Sequence, residues 1–157
     1  MRYDEVEQSV RDLVAAADEE QRHRFGASTV VRLTADGDLA DAAESEFDDD
    51  ARRAFEQART DPAGSTPERL RAWLGEIDAG TLSDGDMDPQ LLWALEALEH
   101  WASFLAGRDA ESVVQLAIRS LEAVDYEVSA ALDDFLASPE MAAEFDRIRG
   151  HLSGPSN

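Results

Sequence analysis

The sequence predicts an all-α fold. It should form a single compact domain over residues 1–152, a bundle of about seven helices around a long central hairpin at about 88–137, with a flexible tail at 153–157. Three observations predict it. Apolar residues recur at steps of three and four along most of the chain, the period of a helix face. Thr66-Pro67, Asp88-Pro89 and Ser138-Pro139 are helix starts. In each, a short side chain can accept from the first free amides, and the Pro beside it gives up only an N–H that would have no partner. Finally, the densest apolar stretch, from Leu91 to Phe135, is broken at Gly107 and Asp109, as a helical hairpin requires.

Taken in order, the first helix is expected from about Asp4 to Ala17, with Val6, Val10, Leu13, Val14 and Ala17 on one face. Asp18 followed by Gln21 forms a capping box that restarts the chain as a second helix. Within it, Ser28 to Thr34 is β-branched enough to suggest a strand. No other run offers it a partner, and a lone strand leaves its backbone unsatisfied, so helix is expected. Asp36-Gly37 is a turn, after which Leu39, Ala43 and Phe47 indicate a short helix. Asp48, Asp49 and Asp50 suit the positive end of the next, about Ala51 to Arg59, with Ala51, Ala54, Phe55 and Ala58 inward. After the loop TDPAGSTP, a helix carries Leu70, Trp73, Leu74 and Ile77 and is closed by Gly80.

The central hairpin follows. Its first arm bears Leu91, Leu95, Leu98, Ala102 and Leu105 as a stripe, and Gly107 is expected to end it in a left-handed conformation. Asp109 caps the second arm, in which Val113, Ala117, Leu121, Val124, Val128, Leu132 and Phe135 recur over about 40 Å of helix. A last helix begins at Ser138-Pro139, with Met141, Phe145, Ile148 and Leu152 in register.

Charge is the unusual property. The chain carries 35 Asp and Glu against 14 basic residues, every one of them Arg, for a net charge of −21. The acids are spread along the chain, although Leu33 to Ala51 holds eight and no base: Asp36, Asp38, Asp41, Glu44, Glu46, Asp48, Asp49 and Asp50. Such a surface repels nucleic acid and anionic membranes, so neither is an expected partner. Three explanations compete. High salt favours hydrated carboxylates and screens their repulsion within about 3 Å at 1 M. Alternatively, an acidic face, for which Asp36–Asp50 is the candidate region, docks a basic protein. Or the charge merely keeps the surface soluble. Dispersal along the chain favours the first. Cysteine is absent, which excludes disulfides, thiolate metal sites and thiol nucleophiles. The amino terminus MRYDEVEQSV is unlike a signal peptide and no apolar run is long enough to span a membrane, so a cytoplasmic location is expected.

Catalytic signatures are weak. Asp84, Asp86 and Asp88 alternate like the first half of a calcium loop, but Pro89 and Leu95 stand where the Gly and the bidentate Glu belong. Asp88 reads better as a cap. Glu96 and His100 share a helix face and could make one weak metal contact or a hydrogen bond beside the apolar stripe. Asp125 interrupts the second arm's apolar row; it sits either at the edge of the stripe or, if buried, against an Arg. Ser120 and Ser129 lie near it without a histidine in the same segment, so a Ser-His-Asp arrangement has no support. His151 is expected in solvent, and Trp93 is the tryptophan most suited to anchor a partner. No cofactor is expected.

Three segments together, QRHRFGASTVVRL, LLWALEALEHWASFLAGRDAESVVQLAIRSLEAV and SPEMAAEFDRIRGHL, resemble the YjaG-like bacterial proteins, domain-of-unknown-function family 416. The likeness covers most of Ser9 to Leu152 and lies in helix order and apolar placement. It implies a compact all-helical fold with Ala27 to Thr34 helical, and it brings no catalytic or ligand residue. The functional expectation is a non-catalytic helical protein acting through protein contacts, self-association included, with its acidity set by a salty interior. The alternatives are an immunity-type neutraliser of a basic protein and a metal-dependent enzyme based on carboxylates and His100; Glu96, His100 and Asp125 are the candidate polar site.

Overall fold

A computed structural model describes residues 1–82 and 86–155. Asp84, and with it the calcium-like alternation, lies outside the described residues. Among the described residues there are eight helices: α1 Tyr3–Ala16, α2 Glu19–Thr34, α3 Asp38–Glu46, α4 Asp49–Thr60, α5 Pro67–Ala79, α6 Pro89–Gly107, α7 Ala110–Val128 and α8 Pro139–Ser153. Among the described residues there is no strand; two isolated bridges, Phe47 with Thr81 and Ala131 with Asp134, are the only extended pairings. The fold is all-α, in agreement with the expected bundle of about seven helices.

Local chemistry accounts for the boundaries. Asp18, Asp48, Asp88 and Asp109 each accept from an amide in the first turn of α2, α4, α6 and α7, and Thr66 and Ser138 do the same for α5 and α8. The Asp18–Gln21 box is reciprocal, with Gln21 returning a bond to the Asp18 amide at 2.9 Å. Part of the acidity therefore closes helix ends, each cap worth about 1 kcal/mol.

The α6–α7 hairpin is the centre. Helix α6 packs against α2, α3, α5 and α7; α4 joins through α5, while α1 and α8 lie against α7. Contacts on several sides turn the α6 stripe away from the expected one. Leu91, Ala94, Ala97, Leu98, Trp101, Ala102 and Phe104 are buried, whereas Leu95 and Leu105 are only partly covered and Leu92 is exposed. The approach of α2 to α6 is close. A Cβ at Gly26 would stand 2.7 Å from Cζ3 of Trp101, inside any tolerable contact, so this crossing requires glycine.

Two expectations about the hairpin fail. The turn between the arms does not use Gly107 as its left-handed residue; Arg108 takes that role at φ 55°, its N–H donating to the Phe104 carbonyl, and Gly107 is the last helical residue. The second arm stops at Val128 instead of running to about 137. Ser129 turns left-handed at φ 51°, and the Asp125 carboxylate accepts from the Ala130 amide at 2.8 Å. Tertiary contacts take the next residues. The Tyr3 amide donates to the Leu132 carbonyl, the Phe135 amide donates to the Met1 carbonyl, and the Phe135 ring meets Tyr3 edge-on at 5.0 Å. Phe135 is thus buried off the helix, and Leu132, expected inside, is 69% exposed.

Helix α8 reaches Ser153, and the Gly154 and Pro155 carbonyls accept from Gln21 and Arg24. His151, expected in solvent, is half-buried beside Phe25 at 6.2 Å; that burial, with the charges of Arg147 and Arg24, lowers its pKa.

Candidate functional site

The polar residues singled out from the sequence do not form one site. Glu96 on α6 faces Arg119 on α7, with Nε 2.7 Å from Oε2, close enough for an ion pair but without the alignment of a hydrogen bond. Arg119 Nη1 also donates to both Glu122 carboxylate oxygens at 2.8 Å, and Nη2 to Gln115 at 3.2 Å. The Glu96 charge is therefore opposed by a guanidinium. His100, one turn along, has its pKa lowered by burial and then by the Arg119 charge, which favours the neutral imidazole. The neighbouring Glu99 has its pKa raised by burial and by the charges of Glu96 and Asp78. Asp125 is placed at the far end of α7, where it holds the helix terminus. Among the described residues, no three Asp, Glu or His side chains converge as a metal site would require.

The acidic region is more organised than its composition suggests. Asp36 accepts from the Asp38 amide at 2.9 Å, and Asp48 caps α4. Asp49 and Asp50 pair with Arg52 and Arg53 one turn on. Glu46 is partly buried, and its backbone carbonyl receives the Leu82 amide. Asp38, Asp41 and Glu44 face solvent. Arg59 reaches back from α4 to the Asp36 carbonyl at 2.9 Å, so bases from the following helix partly answer the base-free run.

An apolar-lined groove lies between α2, the start of α3, α6, α7 and the first turn of α8. It encloses about 350 Å3 and is lined by Leu33, Leu39, Trp93, Ala123, Val124 and Val128, with Arg32, Asp36, Gln90, Glu127 and Glu140 also in its wall. That volume is at the lower end for ligand sites. Trp93 is partly buried, with the half-exposed Tyr126 ring edge-on at 5.4 Å. The i, i+4 pair Val124 and Val128 supplies apolar lining from the last turns of α7.

Behind Arg32 is a buried polar network that sequence reading missed. Glu144 is only 5% exposed. Its Oε1 accepts from the Ser120 hydroxyl at 2.7 Å and from Arg147 Nη2 at 2.8 Å, and its Oε2 is ion-paired with Arg32 Nη1. Arg147 also reaches the Ser28 and Thr29 hydroxyls of α2, at 3.3 and 3.1 Å, and lies over the Phe25 ring. Burial by itself would raise the Glu144 pKa; the hydrogen bond and charge of Arg147, with the Arg32 charge and Ser120, overcome it and hold the carboxyl below its ordinary value. The signal was in the spacing. Glu144 stands three after Met141 and four before Ile148, on the buried stripe of α8, with Arg147 one turn away.

Among the described residues no helix is long and apolar enough to cross a membrane. Compared with known proteins, the chain matches no protein-family model, no curated protein and no solved structure.

Proposed function

We propose that this protein is a non-catalytic cytoplasmic helical module, of the YjaG-like kind, that acts by binding another protein at the groove beside Trp93. The observation that carries this reading is the groove itself: an apolar lining, a partly exposed tryptophan and a charged rim, the composition of a contact anchor. The test compares capture from the source cytosol by the native chain and by Trp93→Glu, with circular dichroism confirming that the variant keeps its helices. One stoichiometric partner, retained by the native chain and lost by the variant, is expected. Identical retention by both would remove the groove from the argument.

The acidity is read as an adaptation to concentrated salt. A net charge of −21 on 157 residues repels itself strongly in dilute buffer and much less when the screening length shrinks to about 3 Å at 1 M. The melting temperature should therefore climb between dilute and molar potassium chloride. A melting temperature that stays level or drops over that range sinks the salt reading without touching the groove.

A further inference from the structure

We infer that the groove beside Trp93 selects a hydrophobic cation, and that its occupant is a basic segment of a partner protein carrying an apolar side chain next to Lys or Arg. This deepens the contact reading and rests on it. The selection follows from how charge is disposed around the opening. Asp36, Glu127 and Glu140 stand in the wall as exposed carboxylates, and among the described residues none of the three has an ion-pair partner. Among the described lining residues one guanidinium, Arg32, stands against these three carboxylates, and it is ion-paired with the buried Glu144, which it shares with Arg147. The wall therefore presents net negative charge to an incoming group even though it contains an arginine. Trp93 adds an aromatic face of the kind that attracts ammonium and guanidinium groups. An apolar anchor fits over Val124 and Val128 while its cation meets the rim. A second copy of this chain is a poor occupant, because it carries the same net charge of −21 and would be repelled by the acidic rim.

The test uses small probes that differ only in charge: phenethylammonium, 2-phenylethanol and phenylacetate. Each is titrated into isotopically labelled native chain in the least potassium chloride that keeps it folded, with amide and indole NMR signals recorded. Phenethylammonium should shift the Trp93 indole and the Val124 and Val128 amides, saturating at a concentration about tenfold below that of phenylacetate, with the alcohol between. In the double variant E127Q/E140Q that advantage should fall to about threefold or less, while the alcohol binds as before. Equal or stronger binding of phenylacetate at these same signals would overturn the cation preference and leave the groove standing as a contact site. Shifts at Trp93 with none of the probes would overturn the inference as well. The capture comparison with Trp93→Glu then decides the contact reading independently.

Discussion

Trp101→Ala is expected to cost about 3–5 kcal/mol, the range for truncating a buried aromatic. Trp101 is fully buried at the crossing of α2 and α6. It stacks on Phe104 at 5.8 Å and receives the edge of His23 at 5.1 Å. Two losses add together. The void sits beside Gly26, which has no side chain to collapse into it, and the Pro62 carbonyl loses the indole N–H that donates to it at 2.9 Å. For a chain of this size, that loss lowers the melting temperature by on the order of 10 °C. Urea unfolding followed by far-ultraviolet circular dichroism measures it. A cost below about 1 kcal/mol would mean that the crossing is not the tightly packed centre described. Trp101→Phe helps to separate the contributions, since it removes the hydrogen bond and leaves a smaller void than alanine does.

Glu144→Ala should cost about 3 kcal/mol, the low end for breaking a buried ion pair. The reason is what remains: Arg147 keeps its contacts to Ser28, Thr29 and Phe25, and Arg32 is 37% exposed, so both cations retain some stabilising environment. Glu144→Gln keeps the shape and the Ser120 contact, so it should cost less than the alanine. The pH dependence has a definite sign. The folded carboxyl lies below its unfolded value, so its contribution is fully present above about pH 5 and is lost as pH falls through the folded value. The stability gap between native chain and Glu144→Gln should thus narrow on acidification. The difference between the two is the proper quantity, because acid also relieves the repulsion among surface carboxylates and can raise the stability of both. A gap that widens toward low pH would contradict the ion-paired assignment.

The two experiments probe opposite sides of the same hairpin. Trp101 meets His23 and Gly26 and so ties α6 to α2, and Glu144 ties α8 to α2 through Arg32 and to α7 through Ser120. Between them they account for how α2, the segment in which the strand-like residues fall, is held as a helix. Arg32, at the end of that helix, joins the buried network to the groove wall. An occupant that drew Arg32 outward would do so against Glu144.

Much of this was legible in the residue order. The caps at Asp18, Asp48, Thr66, Asp88, Asp109 and Ser138 depend on atoms three positions apart, and apolar spacing of three and four names the inward faces of α1, α3, α4 and α8. These are local facts, and local facts survive folding. What only the tertiary structure decided involves partners far apart in sequence. Helix α7 ends at Val128 although its apolar period continues, because Met1 and Tyr3 offer the next backbone groups better bonds and Phe135 a better pocket. Glu144 is buried because Arg32, Ser120 and Arg147 converge from three helices to oppose its charge. The groove exists because α2, α3, α6, α7 and α8 leave a gap at Trp93. Periodicity along one helix says which side is apolar; it carries no information about which distant charge or ring will meet that side.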